Sequence, residues 1–154
     1  MAVPAQSKRP VIKVCTPTVG IDALLEKTKG RDVVNFFDYG AVVSQEHLLF
    51  AYANAMANTS NKTARARSTS VEMLLCAALT SQIGDAIKRV GAKGGKRMVV
   101  FCDTEAAFGR ISEKLSKIGE FRPSAAHTKA ALRALGVGDM DALLSEMAVR
   151  AMEH

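Results

Sequence analysis

Two or three helix-like segments separate the second strand-like segment from the third, and this spacing constrains the fold more than any other feature. The strand-like segments are Pro10–Thr16, Asp32–Asp38 and Met98–Cys102, which are short and rich in β-branched or aromatic residues. Strands that alternated with single helices would predict a doubly wound parallel sheet. The irregular spacing instead predicts an α/β chain of the α+β type, with a small mixed sheet of three or four strands packed with six or more helices.

Apolar periodicity and capping residues predict the remaining elements. The predicted helices are Ile21–Lys29, a helix from its cap Ser44 to about Met56, Val71–Leu79 after Ser70, a helix between Ser81 and Gly91 with Ile83, Ile87 and Val90 on one face, Glu105–Ile118 after its cap Asp103, Ala125–Leu135 and Met140–Met152. Asn58–Thr69 is predicted to be an exposed loop, and Phe121 to belong to a short edge strand. A length of 154 residues with 48% hydrophobic residues fits one domain, residues 1–154, in which residues 1–9 are flexible.

The composition also bears on location. No apolar run approaches the ~20 residues that span a bilayer, and the first residues lack the apolar region of a signal peptide. Cys15, Cys76 and Cys102 are widely separated, so we expect reduced core thiols. The sequence therefore predicts a cytoplasmic protein without a membrane partner.

Positive charge is concentrated in one quarter of the chain. Residues 59–97 hold eight basic and two acidic side chains, a local formal charge of +6 that equals the net charge of the whole protein. Such a field favours an anionic, phosphate-rich partner, although an ordinary solvated basic face has the same composition. The residues predicted to bind RNA are Lys62, Arg65, Arg67, Ser68, Lys88, Arg89, Lys93 and Lys96. Since few aromatic residues accompany them, a small site for a few nucleotides is expected.

Enzymatic and metal-dependent functions find little support. The glycine-rich run Gly91–Arg97 precedes a strand and lacks the spacing of a phosphate-binding loop. His47, His127 and His154 have no second ligand nearby, and no familiar catalytic motif is present. We therefore expect no catalytic residues, metal, cofactor or small-molecule substrate.

Four segments resemble the kinase-binding subunit of the KEOPS tRNA-modification complex, the TPRKB-like family. They are the alanine-rich helix His47–Ala55, the Ser70–Leu75 segment, the helix and turn Gln82–Gly94, and the strand Met98–Cys102. Many members carry Ser-Gly-x-Arg-Gln where this chain has Ala78-Leu79-Thr80-Ser81-Gln82. The resemblance therefore adds Gln82 to the RNA site, while Arg65, Arg67 and Lys88 are the candidates to replace the missing arginine.

The resemblance implies a non-catalytic protein with two partners. One is the small atypical kinase of KEOPS, which the family binds and stimulates. The other is tRNA, which archaeal members recruit through the single-stranded 3′ CCA end for threonylcarbamoyl modification of the adenosine beside the anticodon. The predicted kinase anchors lie on the C-terminal helices, and they are Leu132, Leu135, Met140, Leu144, Met147 and Met152. Two alternatives stay open, namely a free-standing RNA-binding domain and a small enzyme that uses Cys15 or a phosphate substrate at residues 91–95.

Overall fold

A computed structural model describes residues 9–26, 32–62, 68–93 and 96–151 of the chain. Its strands are β1 (Val11–Pro17), β2 (Val34–Asp38), β3 (Met98–Cys102) and β4 (Leu115–Glu120). Its helices are α1 (Ile21–Glu26), α2 (Gln45–Ser60), α3 (Thr69–Ala78), α4 (Ile83–Val90), α5 (Glu105–Ile111), α6 (Ala125–Leu135) and α7 (Met140–Ala151), with short 3-10 helices at Tyr39–Ala41 and Ser112–Lys114. The predicted α+β class, with its small sheet and six or more helices, is confirmed.

The chain divides into two compact units. Unit 1 consists of Met1–Tyr39 and Ala92–Phe121, and it contains the four strands with α1 and α5. Unit 2 consists of Gly40–Gly91 and Arg122–His154, and it contains α2, α3, α4, α6 and α7. The chain therefore leaves unit 1 after β2, returns for β3 and leaves again after β4. That residues 1–154 form one domain stays a prediction.

The sheet of unit 1 has the strand order β2-β3-β1-β4, and each neighbouring pair is antiparallel. Val14 of β1 lies opposite Val99, and Phe36 of β2 lies opposite Val100. The sequence predicted a mixed sheet, whereas the three pairings share one type. Whether a pair of strands is parallel or antiparallel depends on which strands become neighbours in the sheet. The local pattern of apolar residues does not show which strands these are.

The strand β3 is apolar at all five positions, and every one of these side chains is buried. On one face of the sheet, Cys15 and Val100 belong to a core cluster that also includes Leu24 of α1 and Ile111 of α5. On the other face, side chains such as Phe37 are equally buried. Burial on both faces explains why β3 is a continuous apolar run without alternation.

The predicted helix Glu105–Ile118 is wrong in its second half. The helix α5 is capped by Thr104 instead of Asp103, since the Thr104 hydroxyl accepts a hydrogen bond from the Ala107 N–H at 3.0 Å. It ends at Ile111, and Leu115 and Ile118 lie in the edge strand β4, which pairs with β1. Both residues keep helical spacing, but the open edge of β1 offers backbone hydrogen bonds that outweigh this local preference. Phe121, predicted in an edge strand, follows β4 directly and is buried.

In unit 2, α2 is longer than predicted and α3 starts earlier. Ser44 caps α2 as predicted, but the helix continues to Ser60, and the cap of α3 is Ser68 instead of Ser70. The prediction of an exposed loop from Asn58 is therefore wrong at its start, because Asn58 is buried. Its side-chain amide donates a hydrogen bond to the buried Glu72 carboxylate at 2.9 Å, which joins α2 to α3.

The buried His47 side chain joins three segments of unit 2. The Val43 N–H donates to His47 Nδ1 at 3.1 Å, and His47 Nε2 lies 3.0 Å from the Ala77 carbonyl oxygen. Because Nδ1 accepts a hydrogen bond, the imidazole is neutral and Nε2 carries the proton that it donates to Ala77. Burial lowers the pKa of His47 to about 4, which keeps it neutral well below physiological pH.

The Asn58–Glu72 hydrogen bond predicts a sensitive position at the end of α2. Changing Asn58→Ala removes a donor from a fully buried carboxylate, so the free energy of unfolding should fall by about 1–3 kcal/mol. Denaturant titration measures this change. Asn61→Ala serves as the control, since Asn61 is exposed and should alter stability by no more than about 0.5 kcal/mol. Equal effects of the two substitutions would contradict the role given to Asn58.

The pKa of His47 predicts a loss of stability in acid. Between its ordinary value of 6.5 and about 4, the unfolded chain binds a proton that the folded chain does not, so stability falls as the pH falls through this window. His47 should contribute a loss of about 3 kcal/mol between pH 7.5 and pH 4. Unfolding titrations at several pH values should show this loss in the natural protein and a smaller one in His47→Gln. An identical pH profile in the variant would contradict the prediction.

Candidate functional site

The structure places the predicted RNA-binding residues in separate regions. Lys62 follows α2 and Ser68 caps α3, so both lie at the junction of these helices. A hydrogen bond of 3.1 Å between the Thr69 and Thr59 hydroxyl groups ties the two helix ends together. Arg65 and Arg67, which stand between Lys62 and Ser68 in the sequence, lie outside the described residues.

A second group lies at the other end of α3. Gln82 precedes the first residue of α4, while Lys88 and Arg89 lie in its last turn. The ten residues of α3 extend ~15 Å, which separates this group from the α2–α3 junction. Lys93 and Lys96 are exposed and belong to unit 1, just before β3. Within unit 2, the described residues of the predicted RNA site therefore form two groups, and their role in binding RNA stays a prediction.

The helix α4 exposes part of its apolar face. Ile83 is 49% exposed and Ile87 is 52% exposed, whereas Ala86 and Val90 are fully buried. The sequence predicted that Ile83, Ile87 and Val90 share one face of the helix, and of these three residues only Val90 is buried. The i, i+4 row of Ala86 and Val90 faces the core, and the neighbouring row of Ile83 and Ile87 faces outward. Lys88, which follows Ile87 in the sequence, is also exposed.

The turn between α3 and α4 contains a strained residue. Leu79 has φ of 58°, in the left-handed region that favours glycine, and its side chain is only 5% exposed. This is the position at which the related pattern Ser-Gly-x-Arg-Gln carries its glycine. Burial of the leucine side chain offsets the cost of that backbone conformation, which is about 1–2 kcal/mol. The guanidinium beside this turn comes from Arg89, which donates to the carbonyl oxygens of Ala78 and Leu79 at 3.0 and 3.3 Å.

The predicted kinase anchors differ in accessibility. Leu132 and Met147 are 6% and 1% exposed, so both are core residues of unit 2 and unavailable to a partner in this conformation. Leu135, Met140 and Leu144 are half-buried at the margin of the apolar stripe. Met152 lies beyond the last described residue. Val149 of α7 is 56% exposed, which the sequence pattern did not single out because it lies off the main stripe.

The chemistry of the described residues gives no support to the enzymatic alternative. Burial raises the pKa of the Cys15 thiol to about 11, so this group is not a thiolate nucleophile at neutral pH. The described ranges hold no cluster of three or more His, Cys, Asp or Glu side chains suited to a metal ion. Within the same ranges, no helix has the length and apolar character needed to cross a membrane.

A family profile supports the kinase-binding part of the resemblance. A comparison with curated proteins gave no match. The sequence profile of a family described as kinase binding protein CGI-121 matches residues 20–135, about three quarters of the chain. The matched region begins just before α1 and ends with α6, and it includes three of the four strands and the two groups of basic residues in unit 2. The chain therefore belongs to the CGI-121 family of kinase binding proteins.

Proposed function

We propose that this protein is a non-catalytic subunit of the KEOPS complex. In this role it binds and stimulates the small atypical kinase of the complex and helps to recruit tRNA through the 3′ CCA end. The complex then modifies the adenosine beside the anticodon with a threonylcarbamoyl group. The family match to kinase binding protein CGI-121 is the observation that carries the proposal. The resemblance of the segments His47–Ala55 and Gln82–Gly94 to the KEOPS subunit supports it further.

The margin of the α7 stripe is the proposed kinase-binding surface. Leu143 and Met147 fill the core, while Met140, Leu144 and Ala148 form the next i, i+4 row and are half-buried. With this row half-buried, α7 offers apolar side chains to a partner after its own packing is complete. Half-buried apolar residues of this kind can become the desolvated centre of an interface.

A second apolar row lies on α2, and it serves as the comparison for the α7 row in tests of kinase binding. Leu49 and Met56 are 40% and 41% exposed, and Ala53 between them is also exposed, so the three follow i, i+4, i+7 spacing on the outward face. Both rows have the size and character of a docking surface. Substitutions on α7 and α2 therefore distinguish where the kinase binds.

The α2–α3 junction and the outward face of α4 are the proposed tRNA-binding surfaces. Lys62, Ser68 and the intervening arginines supply cations and hydroxyl groups for phosphate contacts. On α4, the exposed Ile83 and Ile87 supply an apolar surface, and the exposed Lys88 supplies a charge on the same helix. An unpaired nucleotide has the same two components, an apolar base and a charged phosphate, which fits a single-stranded end better than a duplex.

The kinase interface predicts that Leu144→Arg weakens binding of the purified kinase by about 1 kcal/mol or more, because it places a charge on the apolar margin of α7. Titration calorimetry measures this affinity, and the melting temperature shows whether the fold is intact. Leu49→Arg is the control with the same added charge on α2. Weakening by Leu49→Arg alone would move the interface to α2, and no binding of the natural protein would overturn the assignment.

The tRNA surface predicts a reduced salt dependence in the double variant Arg65→Ala, Arg67→Ala. The slope of log K against log salt should fall by roughly 0.7 for each single-strand phosphate that the variant no longer neutralises. Lys129→Ala with Arg122→Ala removes two exposed charges of unit 2 elsewhere and should keep the slope. A tRNA without its 3′ CCA should bind more weakly to the natural protein. Unchanged affinity and slope in the first variant would contradict the placement of the site.

A further inference from the structure

Unit 2 contains a cleft that neither the basic segment nor the apolar stripe predicts. Its volume is about 500 Å³, and it lies between the end of α3, the end of α4, the end of α6 and the last turns of α7. Its charged lining consists of Arg89, Arg133 and Arg150 with one carboxylate, Glu146, which gives a formal charge of +2. Three guanidinium groups from three different helices therefore line one cleft.

Arg89 is held in place by the backbone of the cleft wall. Its Nη1 atom donates to both the Ala78 and the Leu79 carbonyl oxygens. A guanidinium group has five N–H donors, so Nε and Nη2 retain three for another acceptor. These hydrogen bonds to the end of α3 fix the orientation of the Arg89 side chain and leave its other N–H groups for a ligand.

Arg150 forms an ion pair with Glu146, which is the only carboxylate among the described residues that line the cleft. Its Nε atom donates to Glu146 Oε1 at 2.8 Å, one helical turn away on α7. The two side chains are 41% and 43% exposed, so this ion pair is accessible to solvent and weak. The four N–H donors on the Nη atoms of Arg150 are not used in this pair.

Arg133 stands in the last turn of α6, where the structure records neither a hydrogen bond nor an ion pair for its guanidinium with any described residue. The chain turns sharply after it, because Gly136 has φ of 78° and the Val137 N–H donates to the Leu132 carbonyl oxygen at 3.1 Å. This turn completes the wall of the cleft, with the apolar Val137 beside the charges.

An arginine near the end of a helix also complements the helix dipole, which explains the sequence positions of Arg89, Arg133 and Arg150 separately. It does not explain why these three side chains meet in one cleft. Three like charges at close quarters repel each other, and Glu146 offsets only one of them. An anion with several acceptor oxygens would relieve this repulsion and use the remaining N–H donors.

We propose that this arginine cleft binds a phosphate monoester, the terminal group of a small nucleoside phosphate. Such a group carries ≈ −1.5 to −2 charge at neutral pH and three terminal oxygens, which match the charge of the cleft and its three guanidinium groups. A phosphodiester or a carboxylate has one charge and two free oxygens. Leu79, Leu135 and Val137 give the attached nucleoside an apolar surface. This inference does not rest on the proposed function, although Arg89 and Leu135 are also among the residues predicted to bind RNA and the kinase.

Titration of the full chain with inorganic phosphate and with adenosine monophosphate, at constant ionic strength, tests the proposal. Arg133→Gln should weaken binding of both probes by about tenfold or more, since it removes charged hydrogen bonds. Lys129→Gln removes the same charge one turn earlier on α6, outside the cleft, and should leave the affinity unchanged. Glu146→Gln should strengthen binding, because it removes the competing carboxylate and frees Arg150.

Tighter binding of adenosine monophosphate than of phosphate supports a nucleoside ligand, and equal binding supports recognition of the phosphate group by itself. The absence of saturable binding of either probe would overturn the proposal. Equal weakening by Arg133→Gln and Lys129→Gln would also overturn it, because the effect would then be one of general charge. Tighter binding of an oligoribonucleotide without a terminal phosphate than of adenosine monophosphate would overturn it as well, because the cleft would then be assigned to RNA. Melting temperatures of the variants confirm that each is folded.

Discussion

Unit 2 depends on one neutral imidazole. His47 accepts a hydrogen bond from the backbone before α2 and donates one to the last turn of α3, so a single side chain holds both helix ends in place. The Ala77 carbonyl that it satisfies is adjacent to the Ala78 and Leu79 carbonyls that Arg89 satisfies. The backbone carbonyl groups at the end of α3 thus accept hydrogen bonds from two side chains. One is the buried, neutral imidazole of His47, and the other is the exposed, charged guanidinium of Arg89. The left-handed turn at Leu79 and the arginine cleft are built on this arrangement.

Much of the fold follows from short-range patterns in the sequence. The strands β1, β2 and β3 are apolar runs, and Ser44, Gly91 and Gly136 stand at the helix ends that their chemistry favours. The edge strand β4 could not be predicted in the same way, because Leu115 and Ile118 also fit the stripe of a helix. Its conformation depends on pairing with β1, which lies roughly a hundred residues earlier. A short stretch of sequence around β4 contains no sign of this pairing.

The candidate surfaces were predictable in composition but not in arrangement. The excess of positive charge in residues 59–97 is evident from the sequence, yet the length of α3 divides its members, and Lys93 and Lys96 belong to the other unit. Arg133 and Arg150 meet Arg89 only through the packing of helices that lie far apart along the chain. The sequence places Ile83, Ile87 and Val90 on one face of α4, but it does not show which part of that face the neighbouring helices cover.

The position of β3 in the sheet has a consequence for how the protein is made. β3 is the neighbour of both β1 and β2, but it is synthesised only after Gly40–Gly91, the first segment of unit 2. Until then β1 and β2 have no neighbouring strand between them, whereas α2, α3 and α4 contact one another at short sequence separation and need no later residue for those contacts. The helical segment can therefore fold first and shorten the effective loop that closes the sheet. Folding of Gly40–Gly91 thus shortens the connection between β2 and β3, although this segment contributes no residue to the sheet.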